Sequence, residues 1–98
     1  MARKTNKDAD NASFHGSIIR CTPARLKELF PDSYYEDNTG EDKVNLEFTL
    51  ETKNGNVFTI YDWKLYYRLR EDAEYDFHIG AYSEYVSEKA ADEIFELL

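Results

Sequence analysis

The fold turns on one stretch, Lys43-Val44-Asn45-Leu46-Glu47-Phe48-Thr49-Leu50-Glu51-Thr52-Lys53-Asn54-Gly55-Asn56-Val57-Phe58-Thr59-Ile60-Tyr61-Asp62-Trp63. From Lys43 to Glu51 the residues alternate, with Val44, Leu46, Phe48 and Leu50 on one side and Asn45, Glu47, Thr49 and Glu51 on the other. That is the two-residue period of a half-buried strand. The segment Thr52 to Asn56 carries turn residues, and Val57 to Trp63 reads as the returning strand of a hairpin. A two-residue Asn54-Gly55 turn would set Phe48 opposite Tyr61 and put Phe58 and Ile60 on the face of Thr49 and Glu51. A three-residue loop, Lys53-Asn54-Gly55, with Gly55 left-handed in a bulge, sets Phe58 opposite Leu50 and Ile60 opposite Phe48. Only the second register gathers the apolar side chains on one face, and a slip of one residue would lose the whole face. It leaves Val57, Thr59 and Tyr61 beside Glu47, Thr49 and Glu51 on the other side.

Upstream, Met1 to Ala12 is polar and aperiodic and reads as a disordered arm, with residues 13–98 as a single domain. Ser13 to Cys21 is a short β-prone stretch containing Phe14, Ile18 and Ile19 and interrupted by Gly16. Thr22-Pro23 starts a helix, since the hydroxyl caps free amides and Pro at the first helical position loses no hydrogen bond. Leu26, Leu29 and Phe30 share a face, and Pro31 ends that helix. Asp32 to Asp42 reads as an acidic surface loop, and Leu65 to Glu74 fits no periodicity. Tyr75 to Tyr82 reads as another strand, with Tyr75, Phe77 and Ile79 on one side and Asp76 and His78 on the other. From Ser83 to Leu98, Val86, Ala90, Ile94 and Leu98 form an apolar stripe widened by Ala91, Phe95 and Leu97. The expected architecture is therefore α+β: a mainly antiparallel sheet of about four strands, with a short helix and a C-terminal amphipathic helix packed on one face.

The chain has 98 residues, a length that supports one core of modest stability. Its net charge of -8 is unevenly placed. Residues 1–70 are neutral in sum, and residues 71–98 set nine carboxylates against the single Lys89. Such a field repels nucleic-acid phosphates and anionic membranes and attracts basic protein surfaces. The expectation is no direct nucleic-acid binding and no membrane association, with Glu88, Asp92, Glu93 and Glu96 as candidate contacts to a basic partner. A solvated acidic face that only keeps a small protein dispersed is the plainer alternative. No apolar run approaches a membrane span or the core of a signal peptide.

Chemistry-bearing residues are sparse. Cys21 is the only cysteine, which leaves no Cys-pair zinc site, and with His15 and His78 as the only histidines no metal set stands out. No phosphate-cradling glycine loop, no nucleophile elbow and no paired acid and base occur, so neither an enzymatic activity nor a cofactor is expected. Cys21 lies near a helix start, where its pKa could fall, or it is a buried bystander. The densest cluster is Tyr61-Asp62-Trp63-Lys64, followed by Tyr66, Tyr67, Arg68 and Arg70. Rigid rings and guanidinium forks are favoured at protein interfaces. The plainer reading makes Trp63 a cap on the core. His78, next to Gly80, is a second candidate, for an anion or as a pH sensor, and Asp62 is a possible dyad partner across the strands.

The segments Thr22-Pro23-Ala24-Arg25-Leu26-Lys27-Glu28-Leu29-Phe30, Lys43 to Phe48, Phe58-Thr59-Ile60-Tyr61-Asp62-Trp63-Lys64 and Phe77-His78-Ile79-Gly80 together resemble a group of small uncharacterised bacteriophage proteins. Relative to that pattern, Asn45, Phe48, Phe77 and Ala81 stand where the group has Asp, Trp, Trp and a second Gly. The resemblance implies a phage origin and no specific chemistry. By analogy with small acidic phage proteins, the expected role is binding and modulating a host protein in the host cytoplasm, a defence or nucleic-acid-handling factor. The surface would combine the Tyr61 to Arg70 patch with the acidic helix, which could occupy a basic groove. Two alternatives are an oligomeric sponge for a signalling nucleotide, using the rings with Arg68, Arg70 or His78, and a minor structural component of the virion.

Overall fold

The computed structural model describes residues 1–98. Its elements, in chain order, are β1 (Arg3–Lys4), β2 (Ser13–Cys21), α1 (Pro23–Leu29), β3 (Tyr34–Glu36), β4 (Leu46–Glu51), β5 (Val57–Tyr61), β6 (Tyr75–Ala81) and α2 (Glu84–Leu97). The fold is α+β, with one antiparallel sheet of six strands and two helices. The strand path is β1-β4-β5-β6-β2, and β3 shares the outer edge of β4 with β1.

The central hairpin has the register its apolar pattern demands: Phe58 pairs with Leu50 and Ile60 with Phe48. Gly55 adopts φ +82°, the left-handed conformation that the three-residue loop requires. Across this pair and β6, the side chains of Leu46, Phe48, Leu50, Phe58, Ile60, Phe77 and Ile79 are all buried on one face. Both helices close that face. Thr22 caps α1 by accepting from the Arg25 amide, and Leu26 of α1 enters the core. Ser83 caps α2 in the same way through the Val86 amide, and Val86, Ala90 and Ile94 reach the core from above. Arg25 donates to the Leu97 carbonyl, tying α1 to the end of α2, where the helix leaves acceptors free.

The sheet holds more strands than the hairpin pattern alone predicts, because its outer edge is completed by two short segments without periodicity. β3 (Tyr34–Glu36) lies within the stretch read as an acidic loop. It is fixed by pairing with β4 and by Glu36, which with Glu71 brackets the Lys27 ammonium. Burial works against that ammonium, but the two carboxylates outweigh it and raise its pKa. β1 (Arg3–Lys4) lies within the residues read as a free arm. Ala2 is buried in the core, Arg3 meets Glu51 at 2.7 Å, and Lys7 donates to the Gly55 carbonyl. The Thr5 hydroxyl, against the effect of burial and ahead of the two cations, holds the Glu51 carboxyl below the usual carboxylate range. The chain then crosses from the β4 edge to β2, whose first residue pairs with Ala81.

Four side chains of the regular patterns depart from their sequence assignment. Val44 precedes the regular strand and lines a hollow on the far side of the sheet, whereas Asn45 is buried. Phe95 and Leu98, placed in the apolar stripe of α2, are 75 and 42% exposed.

Candidate functional site

The predicted residues fall into three groups. The first lies on the sheet face that the helices leave open. There Glu47 of β4 pairs with Tyr61 of β5, Tyr61 with His78 of β6, and His78 with Ile18 of β2. Alternation sends all four to the open face, forming one row across the sheet. Phe14 stacks on His78 at 4.0 Å between centroids and 16° between planes. Trp63, just past β5, stands edge-on to Tyr61 at 6.0 Å and stacks over His78 at 6.4 Å. The Lys43 and Lys64 ammonium groups lie 5.8 and 5.5 Å from the Trp63 ring centre. Trp63 therefore belongs to the open face and does not cap the core. A hollow of about 240 Å³ opens beside it, lined by Ala9, Ala12, Val44, Glu47, Thr59, Tyr61 and Trp63.

Burial sets the titration of this row. It raises the pKa of the Glu47 carboxyl, and it raises that of the Tyr61 hydroxyl with help from the facing Glu47. Burial lowers the pKa of His78, against the pull of Asp76, so the ring is neutral at pH 7. Asp62 forms no dyad with His78, because it points the other way. It is fully buried and accepts from the Asn45 and Leu46 amides through Oδ1, and from Asn45 Nδ2 through Oδ2. Asn45 also donates to the Tyr67 carbonyl and accepts from the Gly40 amide, while Asn38 exchanges two hydrogen bonds with the Leu69 backbone. This buried network binds the loop before β4 to the loop after β5.

The second group rides on that latter loop. Tyr66, Tyr67, Arg68 and Arg70 are exposed, and Leu69 between them is buried as the loop's anchor. Lys64 and Tyr66 both take left-handed backbone at φ 54°, which the Asn38 and Asn45 hydrogen bonds hold in place. Tyr67 leans on Tyr75, and Arg70 meets Asp72. Arg68, Arg70 and His78 line none of the surface hollows.

The third group is on α2, across the sheet from the first. Five of the nine carboxylates after Arg70 have cation partners: Glu71 with Lys27, Asp72 with Arg70, Glu74 and Asp76 with Arg20, and Glu93 with the Met1 amine. Glu93 also accepts from the Lys53 amide. Glu84, Glu88, Asp92 and Glu96 have no cation within 4.0 Å, so the unbalanced charge is concentrated on the outward side of α2. Between this helix and the β4–β5 turn runs a groove of about 410 Å³, where Tyr85, Asp92, Glu93 and Glu96 face Lys53 and Lys89. Tyr85 in its lining is exposed, as are Tyr82 just before α2 and Phe95 on it.

The sheet thus separates Tyr61, Trp63 and His78 from the acidic helix, while Tyr66, Tyr67, Arg68 and Arg70 ride on a loop anchored by Leu69 in the core. Sequence reasoning left out Phe14, Ile18, Lys43 and Glu47 of the open face and Tyr85 of the groove. The strand parity that placed Tyr61 outward also places Glu47 outward, so that residue was within reach. Cys21 is buried, and desolvation, ahead of Glu74, pushes its thiol up to about 12, which makes it inert as a nucleophile. No group of three or more His, Cys, Asp or Glu side chains is arranged to hold a metal ion. No helix is long and apolar enough to cross a membrane. Comparison with protein-family models, with curated proteins and with solved structures returns no match.

Proposed function

We propose that this chain is a non-enzymatic phage protein that binds a host protein in the host cytoplasm, docking the outward side of α2 onto a basic surface. One observation carries the reading: the groove beside α2, where Tyr85 and three carboxylates meet Lys53 and Lys89, adjoins a helix side on which Glu88, Asp92 and Glu96 form no ion pair and Phe95 stands exposed. A solvated charged face has no use for large uncovered rings. At an interface, rings supply buried area, while unpaired carboxylates steer the approach of a basic partner and select against acidic ones. A groove that normally binds DNA or RNA phosphates has the matching charge, so occupying it would modulate a nucleic-acid-handling or defence factor. The exposed Tyr66, Tyr67, Arg68 and Arg70 form a separate, more basic patch and are secondary in this reading.

Affinity capture from host lysate tests it, with the wild-type chain compared with the triple variant Glu88→Gln, Asp92→Asn, Glu96→Gln. The expected result is a specific partner whose retention falls steeply with added salt and disappears with the triple variant. No specific partner, or one held equally by the triple variant and at high salt, overturns the proposal.

A further inference from the structure

The open sheet face is not explained by a partner that docks on α2. Phe14, Ile18 and Trp63 are 42, 48 and 40% exposed there, and they surround the half-buried His78 and Tyr61. Five apolar or aromatic side chains lie side by side on this face, next to the crossing segment whose Ala9 and Ala12 line the hollow beside Trp63, and clustered exposed apolar surface of this kind marks a contact. We infer that this face is the contact between two copies of this chain, packed sheet to sheet about a two-fold axis.

The charges of the patch choose the occupant. Lys43 and Lys64 touch only the Trp63 ring and have no carboxylate within 4.0 Å, and Glu47, half-buried, has no cation or hydrogen-bond donor. One face therefore carries unpaired charges of both signs around an apolar centre. Lys43, Lys64 and Glu47 all lie around Trp63, and a two-fold contact is isologous, so a lysine of one copy that meets Glu47 of the other makes the same pair twice. The hollow of about 240 Å³ beside Trp63 has Glu47 as its only charged wall, and it accepts a lysine stem and head from the facing copy. Neither a uniformly basic nor a uniformly acidic partner satisfies both signs.

Two further features agree. The free edge of β2 is poorly suited to strand addition, because its register shifts between Phe14 and Ile18, and such an irregularity blocks edge-to-edge pairing. Packing through the open face also leaves each acidic α2 on the outside of the dimer, as far from its counterpart as the layers permit, so repulsion between two chains of charge -8 is least in this arrangement.

Trp63 is the only tryptophan and sits inside the patch, so its emission reports the contact directly. Sedimentation equilibrium and Trp63 emission are followed together from micromolar to near-millimolar chain. The expected result is an apparent mass that doubles from 11.5 kDa, accompanied by a blue shift over the same range. Ile18→Glu and Phe14→Glu each raise the dissociation constant about tenfold or more and abolish the shift, whereas Phe95→Glu, on the opposite side of the molecule, changes neither. Two substitutions guard against a folding defect in one, and a cooperative thermal melt of each verifies the fold. A chain of 11.5 kDa at every concentration overturns the inference, as does a dimer that survives both patch substitutions or dissociates on Phe95→Glu.

Discussion

The two faces of this sheet are built from the same strands and differ in what covers them. On the helix side, Phe48, Phe58 and Phe77 have no exposed surface, while on the open side Phe14 and Trp63, of similar apolar content, keep two-fifths of theirs. The aromatic content of a strand therefore says little about its contribution to stability. What decides is whether an element closes over it.

The difference predicts a ranked series of outcomes. Phe77→Ala opens a cavity under both helices and should lower unfolding free energy by about 3–5 kcal/mol in denaturant titration. Trp63→Ala on the open side should lose about 1 kcal/mol or less in dilute solution. Equal losses would erase the distinction between the faces.

Asp62→Ala comes next. It leaves the Asn45 and Leu46 amides and the Asn45 side chain without their shared acceptor in a buried site, for an expected loss of about 2–4 kcal/mol. A loss of a few tenths would show that the network is dispensable and that the exposed Tyr66 to Arg70 loop is held by something else.

Gly80 probes the packing of the open face itself. A Cβ there would stand 2.6 Å from the Thr59 hydroxyl, so Gly80→Ala should destabilise by about 1–3 kcal/mol, and adding Thr59→Ala should restore much of that. Failure of the second change to help would place the strain in the backbone.

The smallest effect is on pH. Burial holds the folded-state pKa of His78 below its ordinary value of 6.5, so the native state binds this proton less readily than the unfolded one. Stability attributable to His78 is therefore intact above about pH 6.5 and declines as the pH falls from there through the depressed value. Asp76, whose charge favours the protonated ring, limits the decline, and Phe14, Tyr61 and Trp63 around the ring supply no compensating charge. His78→Gln should flatten this part of the melting-temperature profile. An unchanged slope would assign the pH dependence to other groups.

How far the sequence reveals the molecule follows the same division. The central register was readable because Leu46, Phe48, Leu50, Phe58 and Ile60 align in only one way, and the core side of β6 and the stripe of α2 follow similar periodic patterns. β1 and β3 were not readable. At two and three residues they are too short to show a period of their own and exist because β4 offers them an edge. Val44 and Asn45 exchanged roles because Asp62, buried against the Asn45 amide, turns the chain before the strand begins. Trp63 was ambiguous for a related reason, lying beyond the last paired residue of β5, where strand parity no longer assigns a face. In the candidate surfaces, the residue types were visible, but the separation of Tyr61, Trp63 and His78 from the acidic helix by the sheet is a property of topology, and no local pattern encodes it.

The central claim is that these two sides do different work, α2 meeting a basic partner and the open face meeting another copy. The most direct test measures the one-to-one solution affinity of the captured partner for three chains: wild type, the Glu88→Gln, Asp92→Asn, Glu96→Gln triple variant, and Ile18→Glu. The account predicts that the triple variant loses at least tenfold in affinity, while Ile18→Glu binds as the wild type does. Weakening by Ile18→Glu with full affinity in the triple variant would contradict it, and would move the partner to the opposite side of the sheet.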